Sequence, residues 1–164
     1  MVELSLLDRF ILKFTEEKLN NVTKIGRAYY LISPEIKDTM ASISKKIHRP
    51  PFCAGLFLGE EKSKDFNPSV ALIELIGHAS DRWVMIDDNA EWLFLCDRDV
   101  FGSSVIKSNV QRGLAIVVNQ RGEILGYGNV IGDLSNTDRI YIKNILDRGD
   151  YLRREMTGRH KSKK

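Results

Sequence analysis

Three short runs of β-favouring residues follow one another closely in the second half of the chain. They cover residues 114–118, 124–130 and 140–142, and turn-forming stretches at 119–122 and 132–138 separate them. Short strands at this spacing are typical of a small β-barrel or sandwich. We expect one short helix, around residues 99–106, to precede the series.

The first half of the chain mixes helical and strand patterns. Apolar residues recur every three or four positions from Leu7 to Phe14, which predicts an amphipathic helix that begins after Ser5. A second helix is predicted to begin at Ser33 and Pro34 and to end at the next prolines. The predicted strands of this half are residues 27–32, 54–59, 70–76 and 83–86.

These patterns predict an α+β protein with two domains. An N-terminal α+β domain with an antiparallel sheet would occupy residues 1–88, and a small β-barrel would occupy residues 89–164. The acidic stretch at residues 87–89 marks the predicted junction between them.

Composition excludes several classes of protein. Hydrophobic residues make up 43% of the 164 residues and charged residues 29%, as in an ordinary globular protein. No apolar run approaches the roughly 20 residues that span a bilayer, and the N-terminus lacks the basic lead of a signal peptide. We therefore expect an intracellular protein without membrane contact, in which Cys53 and Cys96 are reduced thiols.

Motifs for catalysis and for cofactors are absent from the sequence. Gly126, Gly128 and Gly132 do not fit a nucleotide-binding loop, because the third glycine comes one position too late and the segment is predicted to be a strand. The three histidines are scattered and lack metal-ligand spacing. We predict no metal site, no cofactor and no enzymatic activity.

Positive charge is concentrated near the C-terminus. Residues 1–88 carry a net charge of −1 and residues 89–164 a net charge of +4, whereas residues 153–164 alone carry +5. One interpretation is a solvated tail. In the other, Tyr151 and Leu152 belong to a final strand that fixes Arg153 and Arg154 for phosphate binding, and the lysines beyond add salt-sensitive attraction. The charge pattern leaves both open.

Three segments of the second half together resemble a PUA domain, the RNA-binding module named for pseudouridine synthases and archaeosine transglycosylases. They are residues 87–105, 123–128 and 146–155, and the run Gly-Asp-Tyr-Leu-Arg-Arg at 149–154 is similar to the last strand of that module. The resemblance implies a compact β-barrel with short helices.

The N-terminal half is similar to the pre-PUA domain of the Nip-seven family, in the order of the segments 27–36, 54–59 and 82–87. Members of that family are archaeal and eukaryotic factors in biogenesis of the large ribosomal subunit. The resemblance implies RNA contact through the PUA domain and protein contact through the N-terminal domain. The RNA-binding residues that we predict are Arg153, Arg154, Arg159, Lys161, Lys107 and Arg112.

The resulting hypothesis is a monomeric, non-catalytic RNA-binding factor in large-subunit pre-rRNA processing or assembly. Its partners would be pre-rRNA, structured or uridine-rich, and pre-ribosomal proteins. It would be cytoplasmic in a cell without a nucleus and nucleolar otherwise. Two rivals are an RNA-modifying enzyme or its accessory subunit, and a protein-only adaptor with a solvated basic tail.

Overall fold

The computed structural model describes residues 4–49 and 51–154. The chain divides into two compact units, residues 1–76 and 77–164. This boundary lies twelve residues before the predicted one at 88/89, because the strand Trp83–Ile86 hydrogen-bonds to strands of the second unit.

The elements follow one another in a mixed order. The helices are α1 (Leu6–Ile11), α2 (Pro34–Ile47), α3 (Val70–Gly77) and α4 (Asp88–Leu95). The strands of the first unit are β1 (Val22–Ile25), β2 (Ala28–Leu31), β3 (Leu56–Lys62) and β4 (Asp65–Pro68). The strands of the second unit are β5 (Trp83–Ile86), β6 (Val100–Phe101), β7 (Val105–Ser108), β8 (Gly113–Val118), β9 (Ile124–Val130) and β10 (Ile140–Asp147).

In the first unit, four strands form an antiparallel sheet in the order β1-β2-β3-β4. The predicted first helix is present, and the Ser5 hydroxyl caps it by accepting the Asp8 backbone N–H at 3.1 Å. Its apolar side is buried, and Phe10 lies against Phe66 of β4 with 5.5 Å between ring centroids.

Helix α2 begins where the sequence predicts, with Ser33 as its N-cap and Pro34 in its first turn. No residue of this helix is buried. Its apolar stripe instead lines a groove of about 450 Å³, here called the α2 groove. The exposed stripe consists of Ile36, Ile43 and Ile47, which are 42–55% exposed.

In the second unit, six strands form a nearly closed barrel in the order β6-β10-β9-β8-β5-β7. All neighbours are antiparallel except β5 and β8. Helix α4 contributes Ala90 and Phe94 to the barrel core, which includes Val84, Val117 and Ile142. The predicted fold class is confirmed.

Two element predictions are wrong. Residues 70–76 form α3 rather than a strand, because a short apolar run fits either structure and its buried residues Leu72, Ile73 and Ile76 share one helical face. Residues 99–106 are not an α-helix: β6 leads through a single 3₁₀ turn, Gly102–Ser104, into β7.

The glycines of β9 confirm the strand interpretation. Gly126 has a φ of 156°, and a Cβ there would overlap the Leu146 carbonyl of β10. Glycine therefore permits the close approach of the two strands.

Candidate nucleic-acid interface

The predicted last strand ends earlier than its sequence suggests. Strand β10 stops at Asp147, whose carboxylate accepts the Gly149 backbone N–H at 2.7 Å. Residues 150–154 are helical, and Tyr151 and Leu152 are about two thirds exposed. The prediction that these two side chains lie on a final strand is wrong, because the Asp147 turn ends the strand before them.

Arg153 is tied to the second unit through its guanidinium group. Its guanidinium donates two hydrogen bonds to the Asp147 carboxylate, at 3.0 and 2.7 Å, and one to the Leu95 carbonyl at 2.7 Å. The hydrogen bond with Asp147 raises the pKa of Arg153. Because Asp147 is completely buried, this pair is a structural connection between the C-terminal segment and α4.

Asn144 extends the same network. Its amide nitrogen donates to the Phe94 carbonyl at 2.7 Å and to Asp147 at 3.1 Å. We call the group Asn144, Asp147 and Arg153, with the carbonyls that they bind, the C-terminal clamp. It uses Arg153, one of the two arginines that were predicted to lie on a final strand and to bind phosphate.

The other predicted C-terminal residues differ from Arg153. The Arg154 side chain is 65% exposed and pairs with Asp150 at 2.6 Å, one helical turn earlier. Arg159 and Lys161 lie outside the described residues. Of the two predicted C-terminal basic residues that the structure describes, only Arg154 has most of its side chain exposed.

Lys107 and Arg112 lie on the second unit away from the clamp. Lys107 is exposed on β7, and its ammonium group lies 5.5 Å from the centre of the Trp83 ring. Arg112 is exposed in the turn between β7 and β8. The structure does not bring these two residues together with Arg153.

Arg112 lines a cleft formed by the loops that precede β8 and β10. The cleft has a volume of about 770 Å³, and a second cavity of about 740 Å³ adjoins it and shares Arg112, Gly132 and Asp133. We call the first cavity the loop-end cleft. Its lining includes Phe101, Arg112, Ile131, Asp133, Asn136 and Arg139.

Hydrogen bonds fix the walls of the loop-end cleft. The backbone N–H groups of Gly102 and Ser103 donate to the carbonyls of Arg139 and Thr137, both at 2.9 Å. In the adjoining second cavity, the buried Tyr141 hydroxyl donates to the Val110 carbonyl at 2.8 Å. These bonds attach the β9–β10 loop to the 3₁₀ turn that follows β6, and attach β10 to the β7–β8 turn.

Asp133 is an anion in this loop. Its carboxylate accepts the Ser135 backbone N–H at 2.9 Å, and hydrogen bonds from Ser135 hold the pKa of Asp133 below its ordinary value. The cleft therefore offers the carboxylates of Asp133 and Asp138, an amide and two guanidinium groups, which together can both accept and donate hydrogen bonds.

The sequence analysis missed Phe101 and Arg139. Neither belongs to a charge run or a periodic pattern, and Arg139 directly follows an aspartate. The sequence indicates only the position of Arg139, which lies between the predicted turn at 132–138 and the predicted strand at 140–142.

Strand β10 separates the cleft from the clamp. Ile140 lines the cleft, and Asp147 belongs to the clamp. The two residues are seven positions apart, or roughly 23 Å along the strand. A short RNA segment bound at one end would leave the other uncovered.

No metal site is present in the part of the chain that the structure describes: it holds no group of three or more His, Cys, Asp or Glu side chains suited to a metal ion. Across residues 4–49 and 51–154, no helix has the length and apolar character to cross a membrane.

The second unit is similar to a known domain family. Residues 82–156 match the family model described as the UPF0113 PUA domain. The second unit thus carries a PUA domain. This confirms that part of the resemblance, whereas membership of the Nip-seven family stays a prediction.

Known proteins match more of the chain than this domain. A UPF0113 protein from Archaeoglobus fulgidus is 30% identical over 114 residues, which are 65% of this chain and 65% of that relative's own length. A conserved PUA domain protein from Thermoplasma acidophilum has a similar fold, with a TM-score of 0.59 and 16% identity over 91% of each chain. A hypothetical protein from Pyrococcus horikoshii gives a TM-score of 0.48 and 17% identity over 72% of this chain and 92% of its own.

Proposed function

We propose that the protein is an RNA-binding factor of ribosome biogenesis that acts, without catalysis of its own, in large-subunit pre-rRNA processing or assembly. The PUA domain at residues 82–156 is the observation that carries the RNA-binding part. The ribosomal part is supported by the resemblance of the segments 27–36, 54–59 and 82–87 to the Nip-seven pre-PUA domain.

Charge limits where RNA affinity can arise. Between residues 89 and 152 the chain has seven basic and eight acidic residues, so this part of the PUA unit is not positively charged as a whole. Affinity must come from individual exposed cations such as Lys107 and Arg112, and from residues 153–164, which carry +5. Such contacts bind phosphate and depend strongly on salt.

The first unit would bind pre-ribosomal proteins. The α2 groove supports this proposal, since three isoleucines on one helix face are 42–55% exposed. A monomeric protein usually buries such a stripe, and exposed apolar patches often mark protein contacts. The protein would act in the cytoplasm of a cell without a nucleus and in the nucleolus otherwise.

The RNA-modifying rival requires an active site. Incubation of the protein with labelled RNA, followed by nucleoside analysis, should yield no modified base. Detection of a modified nucleoside would contradict the non-catalytic proposal and support the RNA-modifying enzyme.

Binding of RNA against salt concentration tests the central proposal. The native chain should bind a uridine-rich RNA with an affinity that falls as salt rises, and Lys107→Ala/Arg112→Ala should lower the log–log slope by roughly one to two units. The Lys62→Ala/Lys64→Ala variant removes the same charge from the exposed β3–β4 hairpin of the first unit and should keep the native slope. Negligible binding by the native chain would favour the protein-only adaptor.

Sedimentation of a cell extract tests the ribosomal part. The protein should co-migrate with precursors of the large subunit, and Ile43→Asp in the α2 groove should weaken this association while RNA binding in vitro is kept. Lys46→Asp, a similar change outside the groove lining, is the control. Migration only with free protein would contradict a role in ribosome assembly.

A further inference from the structure

We propose that the loop-end cleft binds one or two unpaired nucleotides of RNA, with a base stacked on Phe101 and phosphates held by Arg112 and Arg139. This inference rests on the proposed RNA binding and deepens it, because it places the contact at a site that lies outside the C-terminal basic run.

The size of the cleft suits such a ligand. Its volume of about 770 Å³ lies in the range of roughly 300–1,000 Å³ for small-molecule pockets. The hydrogen bonds from Gly102 and Ser103 fix the loop that forms its wall, and the hydrogen bond from Tyr141 fixes the cavity that adjoins it. A site already shaped in the free protein loses less conformational entropy when a ligand binds.

Phe101 gives the cleft a stacking surface. Its side chain is 49% exposed although it lies on a barrel strand, and the neighbouring Ile131 and Leu134 are 40% and 43% exposed. Lone exposed apolar residues are common, but here an aromatic ring and two aliphatic side chains line adjoining cavities that also hold arginines. Bases stack on aromatic rings in this way in proteins that bind single strands.

The two arginines supply the charge. Within residues 4–49 and 51–154, neither Arg112 nor Arg139 forms an ion pair with a carboxylate, in contrast to Arg121, Arg153 and Arg154. Both are exposed and line the cleft. Their guanidinium groups can therefore form bidentate contacts with phosphate without breaking an internal pair.

The acids of the cleft argue against a simple anion site. Asp133 and Asp138 line it beside the arginines, so an isolated phosphate meets repulsion as well as attraction. A nucleotide has both parts: its phosphate suits the arginines, and the N–H groups on the edge of its base suit Asp133 and Asn136. Because those edges are paired and stacked in a duplex, the cleft should prefer single strands.

Fluorescence anisotropy with the full-length protein tests this inference, with a labelled six-nucleotide oligouridine and a twelve-base-pair RNA duplex as probes. Phe101→Ala should weaken oligouridine binding about 5- to 150-fold, the loss of one stacked base, and leave the salt slope unchanged. Arg112→Ala/Arg139→Ala should lower the slope by about 1.4, at roughly 0.7 for each phosphate contact on a single strand. Duplex binding should be the same in native and Phe101→Ala proteins.

Matched controls separate local from general effects. Trp92→Ala removes another exposed aromatic ring, and Lys62→Ala/Lys64→Ala removes two other charges; both should bind oligouridine as the native protein does. Phe101→Leu keeps apolar volume but lacks the ring, so it should show most of the loss while its thermal unfolding stays close to native.

The outcomes distinguish the two proposals. If Phe101→Ala and the double arginine variant bind oligouridine like the native chain, the cleft inference is overturned and the proposed RNA binding stands. If the native chain binds neither probe, both the proposed RNA binding and the cleft inference are overturned.

Discussion

The two ends of β10 place arginines in opposite situations. At the Asp147 end, Arg153 gives three hydrogen bonds to groups of its own unit, one of them to a carbonyl and two to a buried carboxylate. At the Ile140 end, Arg112 and Arg139 line a cleft that also holds Asp133 and Asp138, but within residues 4–49 and 51–154 neither arginine forms an ion pair with a carboxylate. A run of basic residues in a sequence therefore does not by itself identify the arginines that are available to a ligand.

The comparison also shows what each end contributes. The clamp pairs the buried Asp147 carboxylate with a cation, so the loss of that cation alone would destabilise the fold. The loop-end cleft leaves charged groups in solvent, where they add little stability and can bind a partner. Four measurements test whether the two ends of β10 differ in this way.

The largest effect is expected at the clamp. Arg153→Ala should lower the free energy of unfolding by about 3 kcal/mol, because it leaves the buried Asp147 carboxylate without its cation. Urea unfolding measures this loss. Arg154→Ala, which removes an exposed pair, should cost about 0–1 kcal/mol. Equal stabilities for the two variants would show that Arg153 is not a structural residue.

Close packing at the same end gives the second effect. A Cβ on Gly149 would overlap the Leu95 carbonyl and approach Arg153 and Asp147, so Gly149→Ala should cost about 2–3 kcal/mol in urea unfolding. Gly122→Ala is the comparison: it has open space but a φ of 79°, and its cost should be near 1 kcal/mol from backbone strain alone. A Gly149→Ala protein as stable as the native one would mean that the clamp is looser than described.

The third prediction concerns how stability depends on alkaline pH through a buried tyrosine of the barrel. Burial raises the pKa of Tyr127 on β9 to about 12, whereas the unfolded chain releases this proton near pH 10. The contribution of the buried, neutral Tyr127 to the free energy of unfolding is therefore fully present below pH 10. It is lost as the pH rises from 10 towards 12, and the loss is about 2 kcal/mol at pH 12. Tyr127→Phe should remove this part of the pH dependence, and an unchanged profile would contradict burial of the phenol.

The smallest effect is expected at the cleft. Tyr141→Phe removes the hydrogen bond to the Val110 carbonyl and should cost about 1 kcal/mol. Since Tyr141 lines the cavity that adjoins the loop-end cleft, oligouridine affinity should also fall a few-fold with no change in salt slope. Tyr151→Phe, at an exposed tyrosine, should change neither quantity. If Tyr141→Phe loses stability but binds RNA like the native protein, this hydrogen bond stabilises the fold without contributing to the RNA site.

Prediction from sequence succeeded where local chemistry decides the structure. The caps at Ser5 and Ser33 and the strands β8 and β9 follow from side-chain type and spacing. It failed at α3, because a continuous apolar run fits a strand as well as a helix.

The candidate site was harder to predict than the fold. Arg153 lies six residues from Asp147 and 58 from Leu95, so its partners depend on how β10 ends and where α4 packs. Phe101 and Arg139 line one cleft although 38 positions separate them. Arg112 was predicted as an extension of the basic face, but its neighbours in the cleft are set by three-dimensional packing.

The pairing of β6 with β10 has a consequence for synthesis of the protein. Val100 lies opposite Ile142, so the barrel cannot close until a strand 42 residues later has left the ribosome. Until then the edge of β9 that faces β10 has no partner, and an unpaired strand edge invites association with other chains. A nascent chain that stalls before residue 140 should therefore depend on chaperones far more than the finished one.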